Sequence, residues 1–232
     1  MNGTTAVVTG ASRGIGEAVA REFARRGSHV VCTAREEADV AAVVAAIEDE
    51  GGHATAVRAD VRDEFDVERL FETASRGGQN GGIDYVVACA GVYHGLPGET
   101  PLTEESYSAF DDHLRTNARG VFSTVREALP HLNEGARVLV PTGAVAREAK
   151  PGLGSYAVSK AAAEAIVRGF AVDSEFTVGL VDPGKVATDL SGEGGRDPAD
   201  VAPMFVWAAT DCPAGDLDGR VVGLREWKAS TR

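Results

Sequence analysis

Short apolar runs alternate with amphipathic stretches along almost the whole chain. Residues 6–9, 29–33, 54–58, 85–88, 137–140, 177–181 and 220–224 read as strands. Between the first of these, 15–26 places Ala18, Val19 and Phe23 on one stripe, and 36–50 sets Val40, Val43, Val44 and Ile47 at three- and four-residue spacing. Both patterns predict helices. Further helices are expected at 65–75, 104–132 (with a break near Phe110), 155–172 and 198–209, and a glycine-rich turn at 77–82. Strands that are apolar throughout imply burial on both faces, the property of a parallel sheet. With right-handed crossovers, the alternation predicts one doubly wound α/β domain over residues 1–232, helices covering both faces of a Rossmann fold.

Composition narrows this little, but charge adds to it. Hydrophobic residues make up 44% and charged ones 25%, as in ordinary globular chains. Apolar runs are far shorter than a bilayer span, and Met1-Asn-Gly-Thr-Thr lacks a basic segment followed by an apolar one, so a soluble, cytoplasmic protein without a membrane partner is expected. Net charge is −12, with four Lys against nineteen Arg, which disfavours nucleic acid and suggests a halophilic proteome. Cys32, Cys89 and Cys212 share no ligand spacing and the five His are scattered, so no metal site is expected and the thiols read as small core residues in a reducing compartment.

Three strings carry chemistry. Tyr156-Ala-Val-Ser-Lys160 sets a phenol and an ammonium four apart, hence on one helix face, where the ammonium can lower the phenol pKa towards neutrality. Thr9-Gly10-Ala11-Ser12-Arg13-Gly14-Ile15-Gly16 joins the first strand to the first helix through a glycine turn that lets a phosphate approach the helix N-terminus. Asp182-Pro183-Gly184-Lys185-Val186-Ala187-Thr188 follows the sixth strand.

Together these strings resemble the short-chain dehydrogenase/reductase family of classical type, and the resemblance covers nearly the whole chain. It implies a cofactor site made by Gly10, Ser12, Arg13, Gly14, Ile15, Gly16, Arg35, Asp60, Val61, Ala90, Gly91, Asn117, Tyr156, Lys160, Pro183, Gly184, Val186 and Thr188. Asp60 would bind the adenine amino group, Val61 would lie beside its ring, and the Pro183–Thr188 string would hold the carboxamide of nicotinamide. At the end of the second strand Ala34 replaces the carboxylate of NAD users, and Arg13 and Arg35 stand nearby. Two guanidiniums suit a 2′-phosphate, so NADP is the expected cofactor.

The resemblance also implies Tyr156 as general acid, Lys160 as holder of the nicotinamide ribose, and Asn117 as holder of a relay water. The serine expected thirteen residues before the tyrosine is Gly143, leaving the neighbouring Thr142 as a candidate substitute that faces the other way unless Pro141 re-routes the backbone. Ala88-Cys89 stands where relatives carry two asparagines, and the link 189–197 is short, implying an open site lined by Tyr93, His94, 144–153 and 190–196. The implied activity is NADP-dependent hydride transfer between nicotinamide and a small carbonyl or alcohol. The alternative is a dinucleotide-binding sensor or scaffold subunit with little turnover. The family's pairing of two long helices, here 110–132 and 155–172, implies a homodimer or homotetramer, helped by Ala157, Ala161, Ala162, Ala163 and Ala165. The tail 226–228 reads as a subunit contact or a frayed end.

Overall fold

A computed structural model describes residues 1–78 and 81–231. The expected turn at 77–82 therefore includes Gln79 and Asn80, which lie outside the described residues, as does Arg232. Seven strands form one sheet: β1 (Thr5–Thr9), β2 (His29–Ala34), β3 (His53–Arg58), β4 (Ile83–Ala88), β5 (Leu132–Pro141), β6 (Thr177–Asp182) and β7 (Val221–Gly223). Their order is β3-β2-β1-β4-β5-β6-β7, and every neighbouring pair is parallel. The strands are apolar because both faces are covered: Val8, Val30 and Cys32 face one apolar cluster, while Val7, Val31 and Val86 face the other.

Helices α1 (Gly14–Arg25), α2 (Glu37–Asp49) and α7 (Pro198–Thr210) cover the first face. Helices α3 (Glu64–Gly77), α5 (Gly120–Ala128) and α6 (Gly154–Asp173) cover the second, and α4 (Tyr107–His113) precedes α5. None of the described helices is long and apolar enough to cross a membrane. This is the doubly wound sheet the periodicity predicts. The chain runs outward from β1 to β2 and β3, then returns through α3 to lay β4 on the other side of β1, so the strand order reverses there and a crevice opens at the carboxyl ends of these central strands.

The long stretch 104–132 departs from expectation in three ways. It starts at Tyr107, because the Ser106 hydroxyl accepts the Ala109 N–H at 3.2 Å and caps the helix there. It is interrupted by a π-turn at Leu114–Arg119 and not near Phe110. It also ends before Leu132, which opens β5 after a short 3₁₀ turn containing Pro130. Leu224 likewise leaves the last strand and begins α8 (Ala214–Leu217)'s successor, the helix α9 (Leu224–Ser230). The tail is thus neither frayed nor free: Leu224 and Trp227 pack on the first apolar cluster, and Glu226 accepts the Gly223 N–H at 2.9 Å.

A candidate cofactor and catalytic cleft

The crevice is a cleft of about 360 Å³. One end is built largely of backbone. Gly10 has φ +65°, and a Cβ there would lie 2.7 Å from the Ala90 Cα, so the turn after β1 can press against the segment after β4 only without a side chain. The Ala90 N–H donates to the buried Thr9 hydroxyl at 3.2 Å and fixes that contact. Helix α1 then starts at Gly14, and its N-cap residue Arg13 makes no side-chain hydrogen bond to the first turn among the described residues. Its free N–H groups and the positive end of its dipole face the cleft, the environment that binds phosphate.

Gly10, Ser12, Arg13, Gly14, Ile15, Gly16, Arg35, Asp60, Val61, Ala90, Gly91, Asn117, Tyr156, Lys160 and Thr188 all line this cleft. Pro183, Gly184 and Val186 do not; of that segment Thr188 reaches the wall, followed by Asp189 and Leu190. Arg13 extends to Asp189 at 3.5 Å, with both side chains at least 70% exposed, a pair that water screens and that leaves the guanidinium available. The buried Thr33 hydroxyl, on the same wall, has no hydrogen-bond partner among the described residues. An uncapped helix start, exposed guanidiniums and an orphan hydroxyl fit a phosphorylated dinucleotide.

This wall is less purely cationic than the sequence suggests. Glu36 and Asp39 also line it beside Arg35, so the expectation of guanidiniums without a carboxylate is corrected. Both follow Arg35 within one turn of α2, a signal present in the sequence. Asp60 is gripped by Arg62, whose Nη2 donates to Oδ2 at 2.7 Å and whose Nε lies 3.0 Å from Oδ1. Burial pushes the Asp60 carboxyl up, but the hydrogen bonds and charge of Arg62 outweigh this and hold it low. Arg62 Nη1 also donates to Asp112 at 2.9 Å.

The other end is built of buried side chains. Asn117 lies in the π-turn, where its Oδ1 accepts the Val92 N–H at 2.8 Å and its Nδ2 donates to the Val92 carbonyl at 2.9 Å and to Ser159 Oγ at 3.0 Å. Its amide therefore fastens the segment after β4 to α6. Widened π-turns recur at functional sites, and this one turns Asn117 inward. Ser159, which sequence reading passed over inside the Tyr–Lys string, donates in turn to the Tyr156 carbonyl at 2.7 Å.

Tyr156 sits in the first turn of α6, with its ring edge-on to Tyr93 at 4.9 Å and to His113 at 6.1 Å. Its hydroxyl has no hydrogen bond among the described residues. Burial pushes the phenol up to about 12, with Tyr93 adding to the rise. Lys160 does not offset this: its Nζ donates to the Pro141 carbonyl at 2.6 Å, and burial pulls the ammonium below its ordinary value. The expected lowering of the Tyr156 pKa by its helix neighbour is thus absent in this structure. A shared helix face fixes where two side chains start, whereas tertiary partners fix where their ends go. Cys89 lines the cleft as a thiol that burial pushes up to about 12, against the charge of Lys160.

Thr142 is corrected as a catalytic candidate. It is buried, does not line the cleft, and its Oγ1 donates to the buried Glu164 at 2.7 Å. Glu164 also pairs with Arg147, which reaches on to Asp182. The backbone after Pro141 keeps its strand alternation, so Thr142 faces away from the Gly143 side as parity requires. Gly143 itself is extended (φ −163°), and a Cβ there would meet only Val145 at 3.9 Å. The position accepts a side chain without strain.

Residues 4–199 match the sequence profile of the family described as short chain dehydrogenase. The chain is 40% identical to the short chain dehydrogenase/reductase AacuN of Aspergillus aculeatus, over 81% of this chain and 71% of that protein. It is 37% identical to the hydroxynaphthalene reductase-like protein Arp2 of Metarhizium robertsii, over 82% of this chain and 71% of that protein. Among solved structures it is similar to a short chain dehydrogenase from Burkholderia cenocepacia in complex with NADP, with TM-score 0.84 and 30% identity over 96% of both chains.

Proposed function

Because the chain belongs to the short chain dehydrogenase family, and is therefore an oxidoreductase, we propose that it reduces a small carbonyl compound at the expense of NADPH. The observation that carries this reading is one continuous cleft with an uncapped helix start and two exposed guanidiniums at one end and Tyr156 with Lys160 at the other. The first turn of α1 would bind the pyrophosphate through backbone N–H groups. Arg13 and Arg35 would meet the 2′-phosphate, and Asp60 with Val61 the adenine. The similar Burkholderia cenocepacia protein carries NADP, which supports this choice over NAD.

When bound, the cofactor supplies the hydride. The remaining work belongs to the chain. Tyr156, whose phenol burial pushes up to about 12, carries its proton near neutrality and would be the donor to a carbonyl oxygen that is gaining charge, though the rise makes it a weaker acid than a free phenol. Lys160, held against Pro141, anchors the base of that end and fixes the entry to Gly143. Asn117 holds the wall at Val92 in place. With glycine at 143, one hydroxyl donor to the developing oxyanion is missing, and a substrate hydroxyl or water takes its place at a lower rate. The oxidoreductase membership displaces the reading as a sensor or scaffold with little turnover.

A relative named for hydroxynaphthalene reduction makes ketones on fused aromatic rings the first compounds to try. The test is titration of NADPH and NADH by fluorescence, followed by that carbonyl panel. NADPH is expected to bind at least ~10-fold more tightly, consistent with one charge-assisted contact. Equal affinities would overturn the NADP assignment.

We read residues 1–232 as one domain that assembles through α5 and α6. Phe122 and Val158 are exposed there, and the Phe122 and Phe170 rings lie 5.7 Å apart. A dimer or tetramer buries such a face. Light scattering at micromolar concentration in high salt distinguishes this from a monomer, the refuting result. The three free thiols fit a reducing, cytoplasmic setting.

A further inference from the structure

Helix α6 carries the proposed acid Tyr156 in its first turn, yet no side chain of its own caps that turn. Gly154 opens it at φ +48°, a conformation glycine adopts without steric cost. The cap arrives from fifty residues earlier. Glu105, in the segment before α4, accepts the Ser155 N–H on Oε2 at 2.6 Å and the Ser155 hydroxyl on Oε1 at 2.6 Å. Its side chain is only 6% exposed. A carboxylate at a helix N-terminus gains from the dipole as well as from the hydrogen bonds.

His113, the last residue of α4, closes the cluster. Its Nε2 accepts the His94 N–H at 3.0 Å, which puts the proton of the neutral ring on Nδ1. Nδ1 then donates to Ser155 Oγ at 2.7 Å and lies 3.2 Å from Glu105 Oε1. The ring of His113 packs against both Tyr93 and Tyr156. Tyr93 in turn hydrogen-bonds through its hydroxyl to the Gly152 carbonyl at 3.2 Å and to Thr100. The segments 92–106 and 152–156, already joined by a backbone bridge between Thr100 and Leu153, are thereby also knitted by side chains around the ring of Tyr156.

We propose that Glu105, Ser155 and His113 are positioning residues of the reaction, holding the first turn of α6 so that the Tyr156 hydroxyl points into the cleft. The inference rests on Tyr156 being the acid. Its physical basis is that a displacement of about 1 Å in a reacting group can cost ~10²-fold in rate. None of the three touches a reacting atom. All act through the backbone and ring of Tyr156.

The experiment compares Glu105→Ala, Glu105→Gln and Ser155→Ala with the wild type. It reads kcat and KM for a reduced carbonyl, NADPH affinity, and amide hydrogen exchange over 152–160 in the cofactor-free protein. For Glu105→Ala, kcat should fall ~10²-fold. KM and NADPH affinity should stay within about twofold, since the backbone-built end is remote from the cluster. Glu105→Gln keeps an acceptor for the Ser155 N–H and should recover at least a tenth of the wild-type kcat. Exchange over 152–160 should accelerate in Glu105→Ala while exchange over 5–25 stays unchanged. Should Glu105→Ala fail to fold, Ser155→Ala carries the test, with kcat expected to fall about tenfold for loss of one oriented contact.

Unchanged exchange over 152–160 overturns the inference whether or not the protein is active. A kcat loss matched by an equal loss of NADPH affinity also overturns it, because the role is then general stability. A wild type that reduces no carbonyl, or a Tyr156→Phe variant that keeps full activity, defeats the reading of Tyr156 instead. The exchange measurement still decides whether the cluster fixes the helix.

Discussion

The two ends of the cleft are made by different means. At the end lined by the glycine turn, the wall is made of that turn, an uncapped helix start and solvent-exposed arginines, with the Gly10 turn pressed against Ala90 as its long-range contact. At the catalytic end Tyr156, Lys160, Asn117 and Ser159 are set by partners on β5, the segment after β4, the π-turn and α6. The first end is backbone-built and open, so a single side chain there tunes affinity. The second is a packed polar network in low dielectric, where each member depends on the others and a single change alters rate.

The largest expected effect tests that division at its strongest point. Tyr156→Phe should lower kcat by on the order of 10²–10⁴-fold, the usual worth of a general acid. NADPH affinity should change less than about twofold, because the phenol does not build the phosphate end. Fluorescence titration beside single-turnover kinetics separates the two, and a parallel loss of binding would erase the distinction between the ends.

Gly143→Ser probes the catalytic end by addition. The extended backbone and open Cβ space admit the side chain. Turnover should rise by up to ~10²-fold if an absent oxyanion donor limits the rate. No gain in kcat for a good substrate would mean that another step, or another donor, sets the rate. At the opposite end, Arg35→Asp should narrow or invert the NADPH preference, by about tenfold, with kcat at saturating cofactor little changed. Glu36 and Asp39 beside it make the wild-type preference smaller than arginines alone would give.

The smallest effect concerns pH. Asp60, Asp66 and Asp112 are pushed up by burial, but hydrogen bonds and arginine charge outweigh this and hold all three below their ordinary value of 3.8. The stability they contribute is therefore present above that value and lost as pH falls through the lowered folded values. Removing Arg62 releases Asp60 and Asp112, so Arg62→Gln should shift acid unfolding to higher pH and cost a few degrees in Tm near neutrality. Tyr156 behaves oppositely. Its raised pKa favours folding below pH 10, and that contribution is lost as pH rises through about 12. Circular dichroism melts from pH 2 to 12 follow both limbs. An acid limb that Arg62→Gln leaves in place would detach the carboxylate network from stability.

Legibility along the chain follows the same division. The turn Thr9–Gly16 was readable because a short contiguous string contains the whole device, and the structure places nearly all of it on the cleft wall. The pair Tyr156 and Lys160 was readable as a pair, but not its electrostatics, since the Lys160 ammonium turns to Pro141. Glu105 and His113 carried no local signal: their meaning lies in contacts with Ser155, fifty and forty-two residues away. Thr142 could be excluded only when its partner Glu164 was seen.

Apolar period, glycine spacing and helix registers determined by themselves the doubly wound sheet, the position of the glycine turn between β1 and α1 and the identity of the Tyr–Lys pair. They did so because each is set by interactions within about one element, where spacing in sequence is spacing in space. The tertiary structure alone decided the ionisation of Tyr156, the partner of Thr142, the π-turn that draws Asn117 inward, and the remote carboxylate that caps α6. Those depend on which side chains meet across the sheet and how far water is kept from them, and desolvation and long-range hydrogen bonds leave no periodic trace in a sequence.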